Sequence, residues 1–140
     1  MAASAGISAF GSLLNWDTVD LAEITNISGP SESMDTIDVT SHDSDSGFKE
    51  FVAGLHNGGD ITIEGNFIKG DTTGQIAMHT DFQATTVKAW IIKLPGWAGG
   101  VPQIAGNGFI IAFSWDFPFD GKISFSVTIK VTGKPTLTPA

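Results

Sequence analysis

Apolar and polar residues alternate with period two along two stretches of the chain, the spacing at which a half-buried β-strand presents its side chains. In one, Ile61, Ile63 and Phe67 fall on one face and Thr62, Glu64 and Asn66 on the other, behind a Gly58-Gly59 turn. In the other, Ile123, Phe125, Val127, Ile129 and Val131 alternate with Ser124, Ser126, Thr128 and Lys130. Between them lie two apolar runs, residues 87–94 ended by Pro95-Gly96 and residues 109–117, and Asp120-Gly121 then marks a hairpin. Weaker strand signals cover residues 19–27, stopping at Ser28-Gly29-Pro30, and residues 34–39, where Ile37 and Val39 alternate with Thr36, Asp38 and Thr40.

One helix is predicted, over residues 72–84. Thr72-Thr73-Gly74-Gln75 has the form of a capping box, and Met78 and Phe82 lie one turn apart with Ile76 beside them. Several antiparallel strands with one short flanking α-helix make a mainly β fold, an antiparallel β-sandwich or barrel. A chain of 140 residues accommodates one such domain, expected over residues 18–133. Residues 1–17 read as an N-terminal arm that is ordered only when something receives it, and residues 134–140 as a frayed C-terminal tail. Residues 41–57 read as a loop, yet Phe48, Phe51, Val52 and Leu55 are too apolar for a solvated one and require a cover.

The net charge of −8 is unevenly spread. Residues 1–48 hold all the acids from Asp17 to Asp45 and no base, whereas the remainder balances seven acids against seven lysines. Without arginine, and with one wholly acidic third, the chain is a poor nucleic-acid binder, because such affinity rests on cations meeting phosphate. Cysteine is absent, which excludes disulfides, thiolate metal sites and a thiol nucleophile. The first residues carry no basic segment and no apolar run approaches a membrane span, so a soluble protein made in the cytoplasm is expected, without membrane contact.

Candidate chemistry is sparse. His42, His56 and His79 have no helical spacing to one another or to a carboxylate, so no metal site is expected. The stretch from Asp43 through Asp45 to Gly47 resembles the start of a calcium loop but places Gly47 and Gly54 where that loop needs ligands. No nucleophile elbow or phosphate-cradling helix start occurs, and neither enzyme nor cofactor is expected. Asn26-Ile27-Ser28 fits a glycosylation triplet by chance. Trp16, Trp90, Trp97 and Trp115 leave one alternative open, a small β-sandwich module binding carbohydrate or another ligand on an aromatic face.

Three segments, taken in order, carry a resemblance. They are Ala22-Glu23-Ile24-Thr25-Asn26-Ile27-Ser28-Gly29-Pro30, then Ile37-Asp38-Val39-Thr40-Ser41-His42-Asp43-Ser44, then Phe51-Val52-Ala53-Gly54-Leu55-His56-Asn57-Gly58-Gly59-Asp60. Together they resemble the tail tube (major tail) proteins of bacteriophages with long, non-contractile tails, related in fold to type VI secretion tube proteins. Asn57 stands where that family often has Asp. The likeness covers about residues 18 to 133.

The resemblance implies a structural virion protein that self-assembles into stacked hexameric rings, a hollow conduit for viral DNA ejection. Its implied partners are copies of itself and other tail proteins (tape measure, tail terminator, distal tail), with DNA passing through the lumen without specific binding. Combined with the residue pattern, it assigns inter-subunit contacts to Leu13, Leu14, Trp16, Asp43, Asp45, Phe48, Phe51 and Leu55. Asp35, Asp38 and Glu64 are expected at the lumen or its rim, where negative charge repels phosphate.

Overall fold

The computed structural model describes residues 6–139. Strands β1 (Leu13–Trp16), β2 (Val19–Asp20), β3 (Ile24–Ser28), β4 (Ser33–Asp38), β5 (Phe51–Asn57) and β6 (Asp60–Asn66) precede helix α1 (Gln75–Ala84). Strands β7 (Lys88–Ala98), β8 (Val101–Asp116) and β9 (Ser124–Thr138) follow it. Seven strands form one antiparallel sheet in the order β2-β1-β7-β8-β9-β6-β3, and β4 and β5 pair only with each other. This is the expected mainly β fold with a single flanking α-helix.

The two margins of the large sheet, β2 and β3, are separated in the chain only by Leu21, Ala22 and Glu23. So short a link keeps the two margins from spreading far apart, and the sheet curls into a half-barrel. Its concave face holds the core: Leu14 and Trp16 from β1, Trp90 and Ile92 from β7, Ile110 from β8, Ile61 and Ile63 from β6, and Phe125 through Val131 on alternate positions of β9. The alternation seen in β6 and β9 is therefore a barrel wall with one face turned inward.

Helix α1 closes the barrel with Met78, which is fully buried. The expected capping box does not form. Asp71, one residue earlier, does the work: its carboxylate accepts from the Gln75 backbone N–H at 3.1 Å and from that of Ala22 at 3.2 Å. Gln75 turns inward instead. Its Nε2 donates to the Ala22 and Asn66 carbonyls at 2.8 and 3.0 Å, and its Oε1 accepts from Ile68 N–H at 2.9 Å. These bonds satisfy backbone groups of the β2–β3 link, the end of β6 and the β6–α1 connection. The helix ends at Thr85, whose left-handed φ of 52° turns the chain away.

Three local expectations are corrected. The segment expected as a free arm contributes β1, held in register against β7 from Leu13↔Lys93 to Trp16↔Trp90. The tail expected to fray pairs with β8 as far as Gln103↔Thr138. Part of the expected 41–57 loop is strand β5. Glycine and proline had marked strand ends, but here they fall at breaks in the ladders: Pro95 and Gly96 lie between the Lys93 and Ala98 pairs, and Gly133 and Pro135 between the Thr132 and Thr136 pairs. A bulge absorbs a residue that cannot donate or that needs positive φ, and the strand continues past it.

Candidate assembly surface

Beyond Ser28 the chain leaves the barrel, forms the β4–β5 hairpin and returns at Asp60. Its two crossings touch backbone to backbone. A Cβ at Gly29 would lie 2.4 Å from the Asp60 carbonyl oxygen, and one at Gly59 would lie 2.0 Å from that of Ser31, with φ at +105° and +74°. Glycine is required at both positions, which gives the Ser28-Gly29-Pro30 and Gly58-Gly59 sequences one physical cause.

The hairpin itself has no buried residue. Met34, Ile37, Val39, Phe48, Phe51, Val52 and Leu55 are all exposed, Leu55 at 82% and Phe48 at 75%. Paired strands with apolar side chains open to solvent form an unpartnered patch rather than a core. The connection, residues 39–50, is closed by its own hydrogen bonds, among them Glu50 N–H to Thr40 Oγ1 at 2.7 Å and Ser41 N–H to Ser44 Oγ at 3.0 Å. Asp43 and Asp45 lie in this connection, exposed and close in sequence to Phe48. Asp38 has its carboxyl held below the usual range by hydrogen bonds from the Thr40 hydroxyl and backbone.

The structure brings Asp43, Asp45, Phe48, Phe51 and Leu55 onto one projecting element but divides the other expected contact residues. Leu14 and Trp16 are buried at 0% and 2% inside this chain's own barrel, and Trp16 Nε1 donates to Asp81 Oδ2 of helix α1 at 2.9 Å. Their place at a subunit contact is thereby corrected: apolar spacing alone does not reveal which copy covers a residue. Leu13, at 40%, remains exposed. The expected lumen acids do not converge on one element. Asp35 and Asp38 belong to β4, whereas Glu64 on the outer face of β6 lines a hollow of about 290 Å³ with Thr25, Asn66, Ser114, Asp116 and Lys122.

Sequence reasoning missed a second apolar projection, the β8–β9 connection, where Phe117 is 69% exposed and Phe119 fully so. The signal was the unbroken aromatic pair around Pro118, read there only as a turn. The tryptophans share no platform. Trp90 is buried; Trp97, near the end of β7, stacks under Lys93 Nζ at 4.0 Å; Trp115, near the end of β8, packs edge-on against Phe67 and His79. Among the described residues no cluster of side chains could hold a metal ion, and no helix is long and apolar enough to cross a membrane.

Comparison with known proteins follows the same lines. A chain of the structure described as "Virion of native gene transfer agent (GTA) particle" superposes with a TM-score of 0.75 at 20% identity, covering 95% of this chain and 99% of that one. A chain of "Tail of empty GTA particle computed with helical refinement, C6 symmetry" gives 0.67 at 22% identity over 85% and 84%. A chain of the SPP1 tail tube gives 0.61 at 11% identity over 92% and 77%. No curated protein matches the chain. The sequence profile described as "Lambda phage tail tube protein, TTP" matches residues 4–138. With nearly its whole length covered by that profile, the chain belongs to the lambda phage tail tube protein family and is a structural tail tube subunit.

Proposed function

We propose that six copies of this chain close into a ring and that rings stack into a hollow tube, the conduit through which viral DNA leaves the virion for the host cell. The observation that carries this reading is the β4–β5 hairpin, a paired apolar element that buries none of its residues within its own chain. Its exposed Phe48, Phe51 and Leu55, with Asp43, Asp45 and Leu13, seat on neighbouring copies. A stable contact needs about 800 Å² per partner, and a tube repeats each contact along its length. The C6 symmetry of the similar gene transfer agent tail supports the six-fold ring.

In this assembly the protein works by packing rather than catalysis, and its further partners are the tape measure, terminator and distal tail proteins. Subunits are made in the host cytoplasm and end in the virion tail. Asp35, Asp38 and Glu64 face the bore or its rim and repel phosphate, so DNA slides without being held.

Negative-stain electron microscopy with sedimentation on the concentrated protein tests the proposal. Hollow tubes or stacked six-fold rings are expected from the wild type, and folded monomers from the combined Phe48→Ser, Phe51→Ser, Leu55→Ser variant. A wild type that stays monomeric at high concentration, or a triple variant that still forms tubes, would contradict it.

A further inference from the structure

Seating the hairpin on a second copy requires a receiving surface, and a head-to-tail contact requires that surface to be a different patch of the same chain. Three hollows on the barrel are candidates. The one beside Glu64 is lined with hydroxyls and charges and offers little to Phe51 or Leu55. The largest, about 860 Å³, is walled by Leu55, His56 and Asn57 of the hairpin itself, so the donor already forms its side. The third, about 470 Å³, runs along the barrel seam between residues 9–13 and β3, and Phe10, Leu13, Ile24, Ile27 and Ile92 supply an apolar lining.

The seam has a second property that suits a strand. β3 is a margin of the sheet and pairs only with β6, so its other edge has no partner strand among the described residues. β4 and β5 likewise each have one unpaired edge. Their lengths of six and seven residues are enough to lie along the five of β3. The β8–β9 connection, although apolar at Phe117 and Phe119, has no strand edge to add. Resting on the tube reading above, we propose that the β4–β5 hairpin of one copy docks in the β1–β3 seam of a second copy, pairing along the free edge of β3 and covering its apolar lining.

Charge gives this contact a sign. The hairpin region carries Glu32, Asp35, Asp38, Asp43, Asp45 and Glu50 against Lys49, and the seam's charged residue is Glu23. Added salt screens that repulsion, so assembly strengthens with ionic strength.

Since the chain has no cysteine, engineered thiols report contacts without background. Leu55→Cys and Asn26→Cys protein, each first matched to wild type in thermal unfolding, are mixed under assembly conditions and oxidised. The expected result is a disulfide-linked heterodimer, absent when Leu55→Cys is mixed instead with Lys69→Cys. Tubes without the Leu55–Asn26 product overturn the seam as receiver and leave the tube reading standing. A product from Phe119→Cys with Asn26→Cys in its place overturns the hairpin as the occupant. Neither tubes nor cross-links from any mixture overturns both readings.

Discussion

Strands β5 and β6 are each seven residues long and are joined by Gly58-Gly59, yet β6 buries Ile61, Ile63 and Gly65 while β5 buries nothing. Strand-forming tendency does not separate them. β6 lies between β3 and β9 with one face turned into the barrel, whereas β5 has β4 alone as a partner. The difference is visible in the residue order: β6 alternates strictly, but Phe51-Val52-Ala53-Gly54-Leu55 has no preferred face. A strand without alternation and without a core is what the tube proposal completes from outside the chain.

Substitutions on either side of the glycine turn test that contrast. The largest effect on the fold is expected in the barrel: Trp90→Ala should cost about 3–5 kcal/mol in urea unfolding, since the indole is fully buried. Gln75→Ala should cost about 3 kcal/mol by the same measurement, because it strips partners from Ala22, Asn66 and Ile68 at once. At the crossing itself, Gly59→Ala forces a side chain against the Ser31 carbonyl and should cost on the order of 1–3 kcal/mol, with amide exchange quickening first in the hairpin.

Asp20→Asn should cost less than about 1 kcal/mol near neutral pH, the Asp20 carboxylate being half exposed. The Asp20 carboxyl is held below its ordinary 3.8, first by the Asn15 amide and then by Lys93. Its contribution is therefore present above that ordinary value and lost as pH falls through the lower folded one. Wild type and variant should accordingly converge in acid denaturation once the pH has fallen through the lowered folded value. The smallest effect on the monomer, within about 0.5 kcal/mol, is expected from Leu55→Ala, whose penalty should appear in tube yield instead.

Much of this was legible in the residue pattern. The alternation at Ile61–Ile63 and from Phe125 to Val131 located two barrel walls, Met78 located the helix face, and the apolar residues of 41–57 stood out as a group that this chain leaves exposed. What escaped had physical causes. Pairing carried β7 and β9 past Pro95 and Pro135 because both prolines fall at bulges, which local sequence does not announce. Leu14 and Trp16 looked like an arm's anchors because the strand receiving them, β7, lies more than seventy residues away. Gly106, of a type expected at turns or bulges, does sit at a register shift of β8, but its close fit beneath the Trp90 ring, where a Cβ would come within 2.9 Å, is a tertiary contact.

The long pairing of β8 with β9 has a mechanical consequence. At 16 and 15 residues these strands extend for roughly 50 Å at ~3.3 Å per residue, and their ladder is broken only by local register shifts. A force along the strand axes loads many hydrogen bonds of that ladder together, in shear, instead of opening them one after another from an end. Each subunit thus contains a stiff strut running along its barrel wall.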